Sequence, residues 1–304
     1  MNQDFVRRFL LDGTAVRGEI VSLDDCWRQI ASRHDLPPAA LETLGELSAA
    51  AVLLSATLKF DGSLIIQIHG DGPIALMVVE CRSDGQLRAT VKEREGESIP
   101  PDARLGELVN REGRGRFAVT LDPRIRNENR QPWQGIVPFE GNSVAEVLEH
   151  YMQRSEQLPT RLWLAAGPDR ASGLLLQQLP TEGGRDAPIT DPDAWNRMET
   201  LADTLERSEL LELPPADLLN RLFWDEPLRG FDPRPVYFGC GCSRAKVAGM
   251  LKMLGVAEVE DILSERDPVE VHCDFCNQAY QFDAVDCAAL FRDAVTGEHP
   301  TSRH

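Results

Sequence analysis

Hydrophobic and polar positions along residues 1–179 follow two periods, one typical of helices and one typical of strands. Apolar residues recur at helical spacing over 24–33 and over 38–58, the second segment opening after a pair of prolines. The alternation in SLIIQIHGDGPIALMVVE, at 63–80, instead predicts two strands joined by a turn at GDG. Helical and strand patterns are therefore interleaved in this region.

Further strand patterns follow downstream, in the segments QLRATV, GRFAVTL, TRLWLAAG and SGLLLQQL. Between the second and third of these, Asn142 or Ser143 can cap a helix whose apolar positions continue to Tyr151. Interleaved helices and strands of this kind are typical of an α+β fold. We expect residues 1–179 to form a mixed domain with a largely antiparallel sheet.

The chain changes character after Leu179, where the stretch PTEGGRDAPITDPDA is rich in Pro, Gly and Asp. Helical patterns follow around Trp195–Leu213 and Pro215–Trp224, and residues 178–239 contain 13 acidic and 6 basic side chains. We interpret 180–236 as an acidic helical linker. Two short helices bury little by themselves, so we expect them to pack on the first domain and to be marginally stable without it. An ordinary helical connector is the alternative.

The remaining residues, 237–304, combine short helix and strand patterns with four closely paired cysteines. Ser243 can cap a short helix that ends at Gly255, and Asp283 can cap a last helix. Between them, VEVHC leads into CDFC, and NQAYQFDA alternates like a returning strand. The sequence predicts a small C-terminal zinc-binding module.

The cysteine pattern is C-x-C, thirty intervening residues, then C-x-x-C. Four thiolates suit the tetrahedral, sulfur-rich coordination that structural Zn²⁺ prefers, and two close pairs in so short a segment favour metal binding. The glycine between the first two cysteines is expected to supply the backbone freedom that aims both sulfurs at one ion. We therefore predict one zinc ion per chain, with these ligands: Cys240, Cys242, Cys273 and Cys276.

The other candidate groups are interpreted as structural. Cys287 lies at helical spacing from apolar residues, and Cys26 and Cys81 have no Cys or His nearby in sequence, so burial in the core is expected. His272 adjoins a predicted ligand, but neighbours in an extended segment point to opposite faces. We find no nucleotide-binding loop and no nucleophile-elbow motif.

The overall charge is −17, from 32 basic and 49 acidic residues, which counts against nucleic-acid binding. The basic cluster NREGRGRF is interpreted as a solvated loop and strand edge. Leu47–Leu58 is too short to span a bilayer, so a buried helix is expected. The N-terminal apolar run is too short for a signal peptide, and we expect a cytoplasmic protein with reduced thiols.

The chain resembles a known family, the bacterial 33-kilodalton chaperonins, along essentially its whole length. The resemblance is carried by these segments: YMQRSEQLPTRLWLAAG at 151–167, FGCGCSRAKV at 238–247 and EVHCDFCNQAYQF at 270–282. It implies a chaperone and not an enzyme, and the same four zinc ligands. The family's reduced, zinc-bound form is an inactive monomer.

The resemblance further implies how the protein is activated. Oxidation would pair Cys240 with Cys242 and Cys273 with Cys276, release zinc, unfold the C-terminal module and linker, and produce a dimer. That dimer would hold unfolded client proteins without ATP and pass them to ATP-dependent chaperones. Binding to nucleic acid or membranes is not expected.

Two competing hypotheses come from the residues alone. A zinc-ribbon module that binds nucleic acid or protein could be attached to the α+β domain, although 4 basic and 9 acidic residues between Cys240 and Cys287 argue against nucleic acid. A thiol oxidoreductase is the other. In thioredoxin-like oxidoreductases, however, the C-x-x-C motif opens a helix, whereas a strand pattern follows CDFC in this chain. That hypothesis also leaves the second cysteine pair unexplained.

Overall fold

The computed structural model describes residues 4–126, 131–180 and 191–295, with side chains as far as Phe291. The chain separates into two compact units, Met1–Gly239 and Cys240–His304, here called the first and second units. Helices and mainly antiparallel strands make up both, so the α+β prediction is confirmed. The three-part division into 1–179, 180–236 and 237–304 stays a prediction.

Fourteen strands lie within the described residues. Their bounds are β1 Phe5–Leu11, β2 Val16–Leu23, β3 Gly62–His69, β4 Ile74–Arg82, β5 Gln86–Glu93, β6 Arg116–Pro123, β7 Trp133–Val137, β8 Thr160–Ala166, β9 Ala171–Gln178, β10 Leu228–Gly230, β11 Arg234–Pro235, β12 Tyr237–Phe238, β13 Val269–His272 and β14 Ala279–Phe282.

Ten α-helices accompany them in the same described ranges, together with one π-helical turn at Met152–Glu156. The helix bounds are α1 Asp25–Ala31, α2 Pro38–Thr57, α3 Leu105–Val109, α4 Val144–Tyr151, α5 Ala194–Ala202, α6 Arg207–Glu212, α7 Pro215–Phe223, α8 Arg244–Leu254, α9 Val256–Glu265 and α10 Ala284–Val295.

The strands of the first unit form two sheets. One has the order β10-β1-β2-β9-β8, with β11 also paired to β1, and the other has the order β12-β5-β4-β3-β6-β7. Every pairing within the described residues is antiparallel except that of β12 with β5. The predicted hairpin of β3 and β4 is confirmed, with Leu64 opposite Cys81.

Helix α2 is the central element of the first unit, because it contacts strands of both sheets. It is long and apolar enough to cross a membrane, yet 78% of its most apolar window is buried inside the structure. It begins with Pro38 in its first turn, as predicted, where proline's missing N–H removes no helical hydrogen bond. A buried core helix explains its composition, as the sequence suggested.

The described part of the predicted linker packs on the first sheet. Its apolar side chains share one core with residues of β1, β2, β8 and β9, such as Phe9 and Leu174. Arg161 of β8 is also paired with Glu199 of α5 and with Asp203, the residue that follows this helix. The expectation that these helices lean on the first domain is therefore confirmed.

The prediction of a single helical pattern over Trp195–Leu213 is wrong. Helix α5 stops at Ala202, and α6 begins after Glu206. The Glu206 side chain accepts a hydrogen bond from the Glu209 backbone amide, and the Glu209 side chain accepts one from the Glu206 backbone amide. This capping box satisfies amide groups that a helix start leaves unpaired, so it favours a new helix here. The described linker residues, 191–236, therefore contain three helices, α5, α6 and α7, where two were predicted.

Candidate metal centre

One half of the centre is the turn between β13 and β14. The Cys273 amide donates to the Gln278 carbonyl at 3.0 Å, and the Asn277 amide donates to the Cys273 carbonyl at 2.8 Å. Asn277 has φ 58°, a left-handed conformation that asparagine tolerates better than most residues. Strand pairing on both sides and this tight turn fix Cys273 and Cys276.

The other half lies immediately before α8. Ser243 caps that helix, its Oγ accepting from the Lys246 amide at 3.3 Å, and the Lys246 ammonium donates to the Gly241 carbonyl at 2.5 Å. Gly241 is not in the left-handed region, and a β-carbon built there would meet only the Lys246 Nζ, at 3.4 Å. A β-carbon would therefore fit at Gly241, and the expectation that Cys240 and Cys242 depend on glycine's backbone freedom stays a prediction.

The two halves bring four sulfurs together, and we call them the cysteine cluster: Cys240, Cys242, Cys273 and Cys276. All four Sγ atoms lie within 4.8 Å of one another. The Cys240–Cys273 and Cys242–Cys276 sulfur pairs are 3.6 Å and 3.4 Å apart. A tetrahedral zinc site with Zn–S bonds near 2.3 Å requires sulfurs roughly 3.8 Å apart. The cluster could therefore hold one metal ion, and its size and sulfur ligands fit zinc.

Hydrogen-bond donors surround the sulfurs. The Tyr280 hydroxyl donates to Cys242 Sγ at 3.1 Å, backbone amides of Phe275 and Cys276 face Cys273 Sγ, and that of Gln278 faces Cys276 Sγ. Donors of this kind stabilise thiolates more than thiols.

Burial acts in the opposite direction on the same thiols. It raises the pKa of Cys276 to about 12 and also raises the pKa of Cys273. Ionising several adjacent thiols needs a compensating cation, which is what a divalent metal supplies. With four protein ligands such a centre has no open coordination position, so it suits a structural role and not catalysis.

Tyr280 was not identified by the sequence patterns. It lies on β14 opposite Val271, and the hairpin register, not sequence spacing, brings its hydroxyl to the cluster. Strand alternation in NQAYQF was the available signal, because it put Tyr280 on the same strand face as Gln278 and Phe282.

The other candidates lie outside the cluster. Cys26, Cys81 and Cys287 are 1%, 2% and 3% exposed, as predicted for core residues, and burial raises the pKa of Cys81 to about 12. His272 is exposed and lies 2.7 Å from a carboxylate oxygen of Glu270. These side chains therefore have other partners or surroundings.

Comparison with known proteins gives a consistent result. The family model "Hsp33 protein" matches residues 4–283. A 33 kDa chaperonin of Methylobacillus flagellatus is 48% identical, with 99% of each chain covered, and one of Chromobacterium violaceum is 47% identical over 304 residues. The crystal structure of the 33 kDa chaperonin from Thermotoga maritima matches with a TM-score of 0.78 over 96% of this chain and 99% of that chain, at 23% identity. That likeness supports the fold.

The family match and the names of the relatives place the chain in a class of chaperones rather than a class of enzymes. The chain belongs to the Hsp33 family, whose model spans nearly all of it. The protein is accordingly a chaperone, and a chaperone is expected to bind unfolded client proteins. The thiol oxidoreductase hypothesis is wrong on this finding.

Proposed function

We propose that the chain is a redox-regulated, ATP-independent holdase. It is inactive when the cysteine cluster is reduced and zinc-bound. It binds unfolded proteins after oxidation to the disulfides Cys240–Cys242 and Cys273–Cys276, with release of zinc. The observation that carries this proposal is the convergence of four sulfurs within 4.8 Å in a unit with a very small core.

The second unit depends on its metal because it has little else to hold it. Among the described residues, its hydrophobic core has five buried side chains, with partly buried ones packed against them; the five are Leu251, Val259, Val269, Phe282 and Cys287. Structural zinc contributes roughly 10–16 kcal/mol of folding free energy in small domains. Bound zinc would therefore supply most of the stability of this unit, and oxidising its ligands would unfold it.

The oxidation is balanced with peroxide as the oxidant. Each disulfide would form when two zinc-binding thiolates lose two electrons, and one hydrogen peroxide takes up these electrons and two protons from solvent to become two waters. Two disulfides therefore consume two peroxides. We propose that Cys273–Cys276 forms first, because two intervening residues allow the Cα spacing that disulfides prefer. Cys240 and Cys242 close a smaller and more strained ring.

The linker then provides the change in exposed surface. Its buried side chains, among them Met198 and Phe223, cover apolar residues of the first sheet such as Ile20 and Leu176. The chain runs directly from β12 through Gly239 into the cysteine cluster. Unfolding of the second unit would leave this end of the linker joined to an unfolded chain and held by the short pairing of β12 with β5. Release of the linker would expose both apolar surfaces to clients.

The remaining parts of the proposal follow from the same resemblance. The oxidised protein would be a homodimer and the reduced one a monomer. It would act in the cytoplasm, deliver clients to ATP-dependent chaperones, and bind neither nucleic acid nor membranes. The excess of 9 acidic over 4 basic residues between Cys240 and Cys287 supports the absence of nucleic-acid binding.

The test measures suppression of client aggregation by zinc-loaded protein before and after peroxide treatment, with a zinc-release dye in the same sample. We expect a large gain in activity that parallels zinc release and reverses with a thiol reductant. The variant Cys287→Ser is the matched control, because its thiol is buried outside the cluster. Equal activity of the reduced and oxidised forms would exclude redox regulation.

A further inference from the structure

The first unit contains a cavity that the proposed redox switch does not use. It has a volume of about 260 Å³ and lies where the C-terminal end of α2 meets strands of both sheets. Tyr151, Met152, Glu156 and Leu158, from the segment YMQRSEQLPTRLWLAAG, line part of it. Two of them belong to the π-helical turn, an irregularity that is frequent at functional sites.

A cation lines this mostly apolar space. Arg17, on β2, donates from Nε to Gln177 Oε1 at 2.9 Å and from Nη2 to the same oxygen. No carboxylate lies within salt-bridge distance of Arg17 in the described ranges 4–126, 131–180 and 191–295. A guanidinium has five N–H donors, so it keeps capacity for an anionic partner.

The surroundings raise the cost of leaving this charge without an anion. Burial lowers the pKa of Arg17, and the nearby Arg8 acts in the same direction, whereas Glu19, which is paired with Arg8, partly opposes both effects. Gln177, whose side-chain oxygen accepts from Arg17, is fully buried. Its amide group donates to Thr160 Oγ1 at 2.9 Å. A half-buried cation held by a neutral amide would gain from a bound carboxylate.

The rest of the cavity is suited to a hydrocarbon chain. Its apolar wall is formed mainly by these residues: Leu54, Leu58, Leu64, Val119, Leu121 and Met152. Lys59 and Glu156 are exposed lining residues. Glu156 is hydrogen-bonded to Tyr151. The two positive charges of Arg17 and Lys59 and the negative charge of Glu156 give the cavity lining a net charge of +1. Apolar walls with a few placed polar groups are the usual form of a small-molecule site.

We propose that this cavity, here called the Arg17 cavity, binds a medium-chain monocarboxylate, with the carboxylate on Arg17 and the alkyl chain against the apolar wall. We choose heptanoate, with its seven-carbon chain, as the probe for a space of about 260 Å³. The site lies wholly in the first unit and does not require the cysteine cluster.

Binding is tested by calorimetric titration of heptanoate into the full-length, reduced, zinc-loaded protein. Heptanamide is the matched ligand, because it has the same shape and no charge. We expect the acid to bind at least about ten-fold more tightly than the amide, since a hydrogen bond to a charged group is stronger than a neutral one. This comparison uses the wild-type chain and does not depend on any variant folding.

Variants then locate the site. Arg17→Gln should weaken heptanoate binding at least about ten-fold and leave heptanamide unchanged, whereas Lys59→Gln should weaken the acid by a smaller factor. Arg124→Gln, an exposed arginine that does not line the cavity, is the control. Trp133 lines the cavity and is 46% exposed, so its fluorescence should change on binding. Trp133→Phe should abolish that change.

Two results would overturn the proposal. One is equal affinity for heptanoate and heptanamide, which would mean that Arg17 does not select an anion. The other is heptanoate binding that is unaltered by Arg17→Gln, which would place the ligand elsewhere. Neither result bears on activation by peroxide, so the proposed function would stand or fall separately.

Discussion

The two units of this chain are stabilised in different ways. The main core of the first unit contains 42 buried residues, and the second unit has five together with four clustered cysteines. Burial of apolar surface contributes about 25 cal/mol per Å², so the first unit has ample stabilisation without a metal. The second does not. A chemical signal that removes the metal can therefore unfold the second unit while the main core of the first unit, around α2, stays folded.

Removing the metal should produce the largest difference in stability between the two units. Chelation of the zinc-loaded protein should abolish hydrogen-exchange protection in α8 and the β13–β14 hairpin, because a contribution of roughly 10–16 kcal/mol is lost. Protection in α2 should not change. Mass spectrometry of exchanged peptides measures both regions in one sample.

The variant Cys240→Ser should act in the same direction as chelation, and Cys287→Ser should retain zinc and protection. Loss of protection in α2 together with the second unit would contradict independent stabilisation of the two units. Retention of protection in α8 after chelation would show that five buried side chains suffice.

The meeting of the four cysteine sulfurs could be predicted from sequence because the cysteines are paired in sequence, whereas their binding of zinc stays a prediction. Tyr280 and the Arg17 cavity could not be predicted. The cavity combines Arg17, Lys59, Val119, Trp133 and Gln177, which are distant in sequence and meet only through the sheet order. No local pattern encodes such a meeting.

The fold was predictable where hydrophobic periodicity is clean and not where charges interrupt it. Strands β1 and β2 carry Arg8 and Glu19, which break the apolar alternation but form an ion pair of 2.6 Å across the strands. Neither strand was predicted. Helix α2 was predicted because its apolar residues run without a charge through two turns or more, as a helix buried between two sheets requires.

A core substitution in the first unit should destabilise that unit and leave the second unit unchanged, whereas metal removal does the opposite. Leu53→Ala removes a fully buried side chain of α2 and should lower the free energy of unfolding of the first unit by about 2–5 kcal/mol. Zinc affinity should be unchanged, because the cysteine cluster lies in the other unit. Denaturant unfolding followed by near-ultraviolet circular dichroism, with zinc titration in parallel, checks both. A parallel loss of zinc affinity would show that the units are energetically coupled.

A smaller effect is expected from pH, and it concerns the contact between the linker and α2. Burial raises the pKa of Glu46 to about 7, although Arg207 of α6 lies 3.2 Å away. The folded pKa lies above the unfolded value, so this group favours folding most below about pH 4.5, and its contribution is lost as pH rises through about 7.

Glu46→Gln should remove that dependence. Between about pH 5 and 8, the stability of the wild-type first unit should fall relative to the variant by roughly 1–3 kcal/mol. Thermal unfolding of both proteins across this range measures the difference, and other ionisable groups cancel in it. A difference that is flat with pH, or that grows in the opposite direction, would mean that Glu46 ionises normally beside Arg207.

The last comparison concerns how tightly one glycine is packed in each unit, and the smallest effect is expected in the second unit. A β-carbon at Gly45 of α2 would lie 2.3 Å from the Ala166 side chain, whereas one at Gly241 would meet only the flexible end of Lys246 at 3.4 Å. Gly45→Ala should therefore destabilise the first unit by about 1–3 kcal/mol through overpacking.

Gly241→Ala should change zinc affinity by less than about two-fold, since substitutions at open positions alter stability by at most roughly 0.5 kcal/mol. Competition with a chromogenic zinc chelator measures that affinity. A ten-fold loss in Gly241→Ala would show that the C-x-C turn needs glycine after all, and that zinc binding forces a backbone conformation at this residue that an alanine resists.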